Sequence, residues 1–230
     1  MTAGGGKDVL LLHGYLSSKE SFYYQTKFLS ESFKVTVPDM PGFGASSPLD
    51  KAYSVGDYCR WLDGFIKYCK LDRPHIIAHS FGARVALKYL SENPQGADKL
   101  IITGGAGIVK ARSPQYMRRV KAYRRIKKIF PKFAEKHFGS KEYRTLSPLM
   151  RESYKKIVNE DLKYCAKGVK NRTLLIYGRD DTVTPPNEEG LIFNGIISGS
   201  RLIITDGGHF CFSEYPEAFN KIIYEFLTEN

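Results

Sequence analysis

Six short apolar runs, at residues 9–12, 34–38, 75–78, 100–103, 174–177 and 202–205, are spaced along this chain with longer amphipathic stretches between them. Each run is bounded by Gly, Pro, Asp or Asn, the residues that punctuate strands. Most are apolar at consecutive positions, which suits strands buried on both faces of a parallel sheet. Residues 21–31, 55–70, 82–92 and 216–228 read as the helices between them. In the second of these, Tyr58, Leu62, Phe65, Ile66 and Cys69 recur at helical spacing. The third ends at Asn93-Pro94, a stop signal. Strand–helix alternation of this kind predicts an α/β domain: a mostly parallel sheet covered by helices on both faces. A chain of 230 residues is long enough for one such domain to bury its own core without a metal or a disulfide.

The alternation breaks between Gly105 and Lys170. That stretch reads as helices alone, interrupted at Pro131, Gly139 and Pro148, and is expected to form an insertion above the sheet domain. It also holds the charge. The whole chain carries +11, residues 110–170 carry +14, and the remainder is therefore −3. The basicity belongs to one segment and not to the protein as a whole. A solvated helical face is its plainest use. Attraction of anionic substrates follows, then contact with an anionic membrane surface. Nucleic-acid binding is not expected.

The sharpest motif is Ala78-His79-Ser80-Phe81-Gly82, between a strand and a helix. A serine on such a tight turn has its hydroxyl pushed clear of the backbone, and small residues two before and two after relieve the crowding. Serine needs a base to become a nucleophile near neutral pH. His209, in Asp206-Gly207-Gly208-His209-Phe210 after the last strand, has a side chain suited to that task. An acid must then orient the imidazole. Gly178-Arg179-Asp180-Asp181 follows the fifth run and offers two carboxylates, which spacing alone leaves nearly even. The order serine, aspartate, histidine, each after its own strand, is the one expected for this arrangement on an α/β sheet. A helix-capping serine, a turn-forming aspartate and a surface histidine are the plainer uses of the same residues.

These stretches, with Leu10-Leu11-Leu12-His13-Gly14-Tyr15 and Pro38-Asp39-Met40-Pro41-Gly42-Phe43-Gly44-Ala45-Ser46, resemble the α/β-hydrolase superfamily. Within it, the resemblance is to small bacterial esterases and meta-cleavage-product hydrolases with a helical lid. It implies an α/β-hydrolase core at 1–106 and 171–230 and a basic helical cap at 107–170. It implies Ser80 as nucleophile, His209 as base and Asp181, not Asp180, as the acid. It further implies the backbone N–H groups of Tyr15 and Phe81 as the oxyanion hole, with His13 holding the Tyr15 loop in shape. No cofactor and no metal is implied.

Two departures from the family pattern stand out. The chain reaches His13-Gly14 almost at once, so the usual first two strands are missing and about six are expected, with an exposed sheet edge. Ala78 replaces the usual glycine. The reading that follows is a serine hydrolase acting on a small-molecule carboxylic ester through an acyl-enzyme. Thioester or carbon–carbon cleavage by the same residues, and a non-catalytic binding protein on the same fold, are the rivals.

Other residues are read as structural. Asp39 and Ser46 set the turns of their loop. Arg84 is expected in a surface salt bridge, with a substrate carboxylate as the alternative. Cys211 is expected near the pocket, and His75, His79 and His137 lack a metal-binding partner pattern. The four cysteines form no CxxC pair and are expected as free thiols. With no secretion signal and no long apolar run, the expected location is cytoplasmic.

Overall fold

The computed structural model describes residues 1–109, 118, 121 and 145–229. Among them, seven strands form one sheet: Thr2–Ala3 (β1), Asp8–Leu12 (β2), Lys34–Thr36 (β3), His75–His79 (β4), Lys99–Thr103 (β5), Arg172–Gly178 (β6) and Arg201–Thr205 (β7). Their order across the sheet is β1-β3-β2-β4-β5-β6-β7. All neighbouring pairs from β3 to β7 are parallel. The six expected strands are present. A seventh, β1, adds to the edge and runs antiparallel to β3, with Thr2 opposite Thr36 and Ala3 opposite Val35. Two residues followed by a glycine run carry no periodicity, so only pairing with β3 defines this strand.

Alternate strand residues feed two cores. Leu10, Leu12, Ile76, Ala78, Leu100 and Ile102 face the helices Val55–Tyr68 (α2) and Phe81–Glu92 (α3). Their neighbours Val9, Leu11, Ile77, Ile101, Leu174 and Ile176 face Phe22, Leu29 and the last helix, Pro216–Thr228. Period-two alternation with both faces apolar is what consecutive hydrophobic residues produce in a covered parallel sheet. The start of α2 is set by Ser54 and Asp57, which cap each other's backbone N–H groups. The expected helix at 21–31 is a 3₁₀ turn, Lys19–Phe22, followed by Tyr23–Leu29 (α1). Two further short helices, Leu191–Ile196 and Cys211–Glu214, had no sequence signal of their own.

From β2 the chain goes to β3 on one side, then crosses to β4 on the other. Connections that leave in opposite directions open a crevice at the carboxyl ends of the strands. The loops after β2, β4, β6 and β7 all lie at that edge, because those strands are parallel.

Most of the inserted segment lies outside the described residues. So do the basic stretch 118–128 apart from Arg118 and Lys121, and His137. Its last part shows the interruption expected at Pro148: Thr145 is helical, the helix breaks at 146–147, and Pro148–Val158 starts anew with Ser147 capping the Met150 N–H. The helix Lys163–Gly168 follows, with Ala166 buried in the same core as α3. The two ends of the insertion are clasped together. Leu162 N–H donates to Gly107 O (2.9 Å), Gly107 N–H to the buried Glu189 (3.2 Å), and Val109 N–H to Asp161 (3.1 Å).

Arg84 completes this neck and corrects the expectation of a surface pair. It is 7% exposed, and its Nη1 donates to the carbonyls of Ile157 (2.9 Å) and Glu160 (3.0 Å), at the end of Pro148–Val158. Carbonyls in the last helical turn lack intrahelical donors, and a guanidinium supplies them. Lys88 pairs with the Glu160 carboxylate one turn further along α3.

Candidate active site

Ser80 sits between the end of β4 and the start of α3 with φ 50° and ψ −104°. A non-glycine residue in this region is strained, and it persists because the surroundings hold it. Ser80 N–H donates to Thr103 O of β5 (3.1 Å), and Ala83 N–H closes the turn on Ser80 O (3.2 Å). Gly82 lies against β2, where a Cβ would come 2.2 Å from Leu12 O, so only glycine fits. Ala78 is fully buried between Leu12 and Ile102 of the flanking strands, and its methyl is accommodated.

The loops after β6 and β7 meet closely. A Cβ on Gly178 would stand 2.2 Å from Gly208 O, and Asp180 N–H donates to Gly207 O (3.0 Å). Gly207 takes φ 102°, and Gly208 N–H is held by Glu214 (2.7 Å). This approach brings His209 Nδ1 to 2.8 Å from Asp181 Oδ2. Asp181 is buried, whereas Asp180 is exposed. Oδ1 of Asp181 accepts from the N–H groups of Val183 (2.8 Å) and Thr184 (2.9 Å), and Oδ2 accepts the Thr184 hydroxyl (2.8 Å). Burial alone would raise the Asp181 carboxyl. The hydrogen bonds from His209 and Thr184 outweigh burial and hold it below the ordinary value. A carboxylate on Nδ1 fixes the proton there and leaves Nε2 as the proton-accepting atom of the ring.

Ser80 lies at the same edge, next to His79, whose ring centroid is 4.7 Å from that of His209. Its own Oγ is not hydrogen-bonded to His209 among the described residues. Such contacts are often long before substrate is bound.

Tyr15 and Phe81 also come together at this edge. Their rings meet edge-on at 5.4 Å, with Phe43 4.9 Å from Tyr15. Phe81 opens α3, and N–H groups of a first helical turn have no intrahelical acceptor. The Tyr15 hydroxyl donates to Met150 O (2.8 Å), linking this loop to the helix Pro148–Val158.

His13 bridges two loops beneath Tyr15. Its Nδ1–H donates to Gly14 O (2.8 Å) and its Nε2 accepts from Met40 N–H (3.0 Å). Burial keeps it neutral by lowering its pKa. Asp39 accepts from the Lys19 ammonium (2.8 Å) and from the N–H groups of Lys19 (2.7 Å) and Ala45 (3.0 Å). Ser46 donates to Asp39 O (2.5 Å). Cys211 is buried with its sulfur 3.6 Å from the Thr103 hydroxyl.

Sequence reasoning missed Thr184 and His79. Thr184 lies three residues past Asp181, the spacing at which a hydroxyl can fold back on a carboxylate. No local signal marks what His79 touches. Among the described residues no cluster of three or more His, Cys, Asp or Glu could hold a metal, and no helix is long and apolar enough to cross a membrane.

The family profile described as alpha/beta hydrolase fold matches residues 8–164. An uncharacterized protein of Mycobacterium tuberculosis is 31% identical over 108 residues, which cover 47% of this chain and 32% of that one. The chain thus spans about a third of that relative's length. A 2-hydroxy-6-oxo-2,4-heptadienoate hydrolase of Pseudomonas putida is 25% identical over a 254-residue alignment, covering 98% of this chain and 90% of the other. Among solved structures, an esterase from Exiguobacterium antarcticum matches with a TM-score of 0.80 at 23% identity, covering 100% of this chain and 94% of the other.

Proposed function

The chain belongs to the alpha/beta hydrolase fold family, and from that premise we propose that it is a serine hydrolase in which Ser80 is the nucleophile, His209 the base and Asp181 its orienting acid. The observation that carries the reading is the 2.8 Å hydrogen bond between His209 Nδ1 and a buried Asp181, formed at the sheet edge where Ser80 is held in a strained turn.

Ser80 Oγ attacks the carbonyl carbon of a carboxylic ester while His209 Nε2 takes its proton. The carbonyl oxygen becomes an oxyanion that the Tyr15 and Phe81 amides stabilise. Preorganised donors of this kind are worth several kcal/mol. The imidazolium then protonates the departing alcohol, leaving an acyl group on Ser80. Water, deprotonated by His209, releases the acid. Asp181 keeps the ring in the productive tautomer throughout. Residues 107–170 act as a cap that controls access and substrate shape.

A second reading is hydrolysis of a carbon–carbon bond in a vinylogous ketone, suggested by the likeness to the Pseudomonas putida hydrolase across nearly the whole chain. The expected substrate in either case is a small molecule.

Labelling with a fluorophosphonate probe tests the proposal. Modification at Ser80 that is absent in Ser80→Ala is expected. A folded protein that does not react would favour a binding role on the same fold. Side-by-side assay of p-nitrophenyl esters, acyl thioesters and a meta-cleavage product then separates the reactions.

A further inference from the structure

His79 stands immediately before Ser80 and is 1% exposed. Its ring lies among parts of three loops. Nε2 is 3.0 Å from His209 O, so this nitrogen carries the proton and donates it to the carbonyl. The ring also packs against Phe210 (5.0 Å) and Phe212 (4.8 Å), the residues that lead the chain away from His209. On its other side, Nδ1 faces Gly14 of the loop that precedes Tyr15. A Cβ on Gly14 would fall 2.8 Å from that nitrogen and 3.6 Å from Ser80 Cβ. Nδ1 has no hydrogen-bond partner, which is uncommon for a buried ring nitrogen.

A phenylalanine would fill the same space without leaving a bare nitrogen, so the donor on the opposite side of the ring is the feature that requires histidine. That donor holds the one backbone carbonyl whose position sets where the His209 ring hangs. Gly207 and Gly208 are tied by Asp180 N–H and Glu214, and the His79 donor fixes the carbonyl of the next residue, His209 itself.

We propose that His79 is a positioning residue: its Nε2–H, bonded to the His209 carbonyl, registers the loop of the base against the serine turn and the Gly14–Tyr15 loop. This rests on the roles proposed for Ser80 and His209. It makes no contact with substrate and transfers no proton. Burial keeps its ring neutral, pushing the pKa down to about 3, and charge on His209 acts in the same direction. The neutral His79 ring therefore does not act as a second base at this edge.

The test compares the full-length wild type with His79→Phe, which keeps the ring packing and loses the donor, and with His79→Gln, whose amide nitrogen reaches the place of Nε2. Hydrolysis of p-nitrophenyl acetate is measured with fluorophosphonate labelling, and amide hydrogen exchange is followed at residues 208–211. Small misplacements of a reacting group cost on the order of 10- to 100-fold in rate, and a loss of that size in kcat is expected for His79→Phe. KM should change little, exchange at 208–211 should rise, and His79→Gln should restore most of the rate.

Full activity in His79→Phe, or equal losses in both variants, would overturn the proposal and leave the serine-hydrolase reading intact. Absence of labelling in the wild type would overturn that reading. The exchange data would then decide alone whether His79 holds the loop, and unchanged protection in His79→Phe would overturn that too.

Discussion

His209 Nδ1 and Asp181 Oδ2 lie 2.8 Å apart, and the Thr184 hydroxyl that donates to the same oxygen is 3.2 Å from the same ring nitrogen. The carboxylate is therefore saturated by donors, with two amides on its other oxygen. It is a fixed anion before any substrate arrives.

Asp181→Asn should lower kcat by on the order of 10³- to 10⁴-fold, because an amide can stabilise the wrong imidazole tautomer. Asp180→Asn should stay within about twofold, since surface changes away from a site rarely exceed about 0.5 kcal/mol. Steady-state ester hydrolysis by the two variants checks this, and equal effects would refute the assignment of the acid.

Thr184→Val removes one hydroxyl donor and keeps the shape. A neutral hydrogen bond contributes about 1 kcal/mol, which corresponds to a loss of about fivefold in kcat. Thr184→Ser should retain most of the rate. A Thr184→Val enzyme as fast as wild type would mean that the amides and His209 alone fix Asp181.

Ser80 holds a positive φ that glycine adopts without strain. Ser80→Gly should therefore be more stable than wild type by about 1 kcal/mol and have no esterase activity. Urea unfolding of Ser80→Gly and Ser80→Ala distinguishes relief of backbone strain from loss of the hydroxyl: only the glycine variant should gain from relaxed backbone.

The neck of the insertion hangs on Arg84. Arg84→Met preserves much of the apolar stem and removes the charged donor to the Ile157 and Glu160 carbonyls, leaving Ile157 O only its backbone partners such as Glu160 N–H (3.3 Å). The expected cost is about 2–4 kcal/mol. Lys88→Met breaks a partly exposed pair with Glu160 and should cost about 1 kcal/mol or less. Chemical denaturation of both variants checks the order, and a larger loss in Lys88→Met would contradict it.

Acid should weaken the fold well before carboxylates titrate. Burial lowers the pKa of His13, takes His75 to about 4 and His79 to about 3, while Asp98 beside His75 opposes part of that shift. In the unfolded chain these rings titrate near about 6.5. Between the two values the unfolded state binds more protons, so stability is full above that pH and declines as pH falls. Each ring adds a slope of up to about 1.4 kcal/mol per pH unit. Asp181, also lowered, adds its loss at more acidic pH, as its folded-state value is passed. Urea unfolding at pH 7.5, 6 and 5 should show the decline, and equal stability at all three would refute it.

Hydrophobic spacing in the sequence was enough to determine the parallel strands and the helices on both faces, and the motif from Ala78 to Gly82 marked the serine turn. These depend on contacts between near neighbours in the chain or on a periodicity that any covered sheet imposes. The tertiary structure decided the rest. Spacing left Asp180 and Asp181 nearly even and the family resemblance favoured Asp181; the tertiary structure adds that Asp181 is buried and hydrogen-bonded to His209, whereas Asp180 is exposed. Arg84 became an anchor for carbonyls more than seventy residues away, and His79 found the His209 carbonyl 130 positions along the chain. Local pattern does not encode which distant polar group will be buried beside which other one. That pairing is set when the strands register, because a polar atom shut away from water must be satisfied by whatever donor or acceptor the fold brings to it.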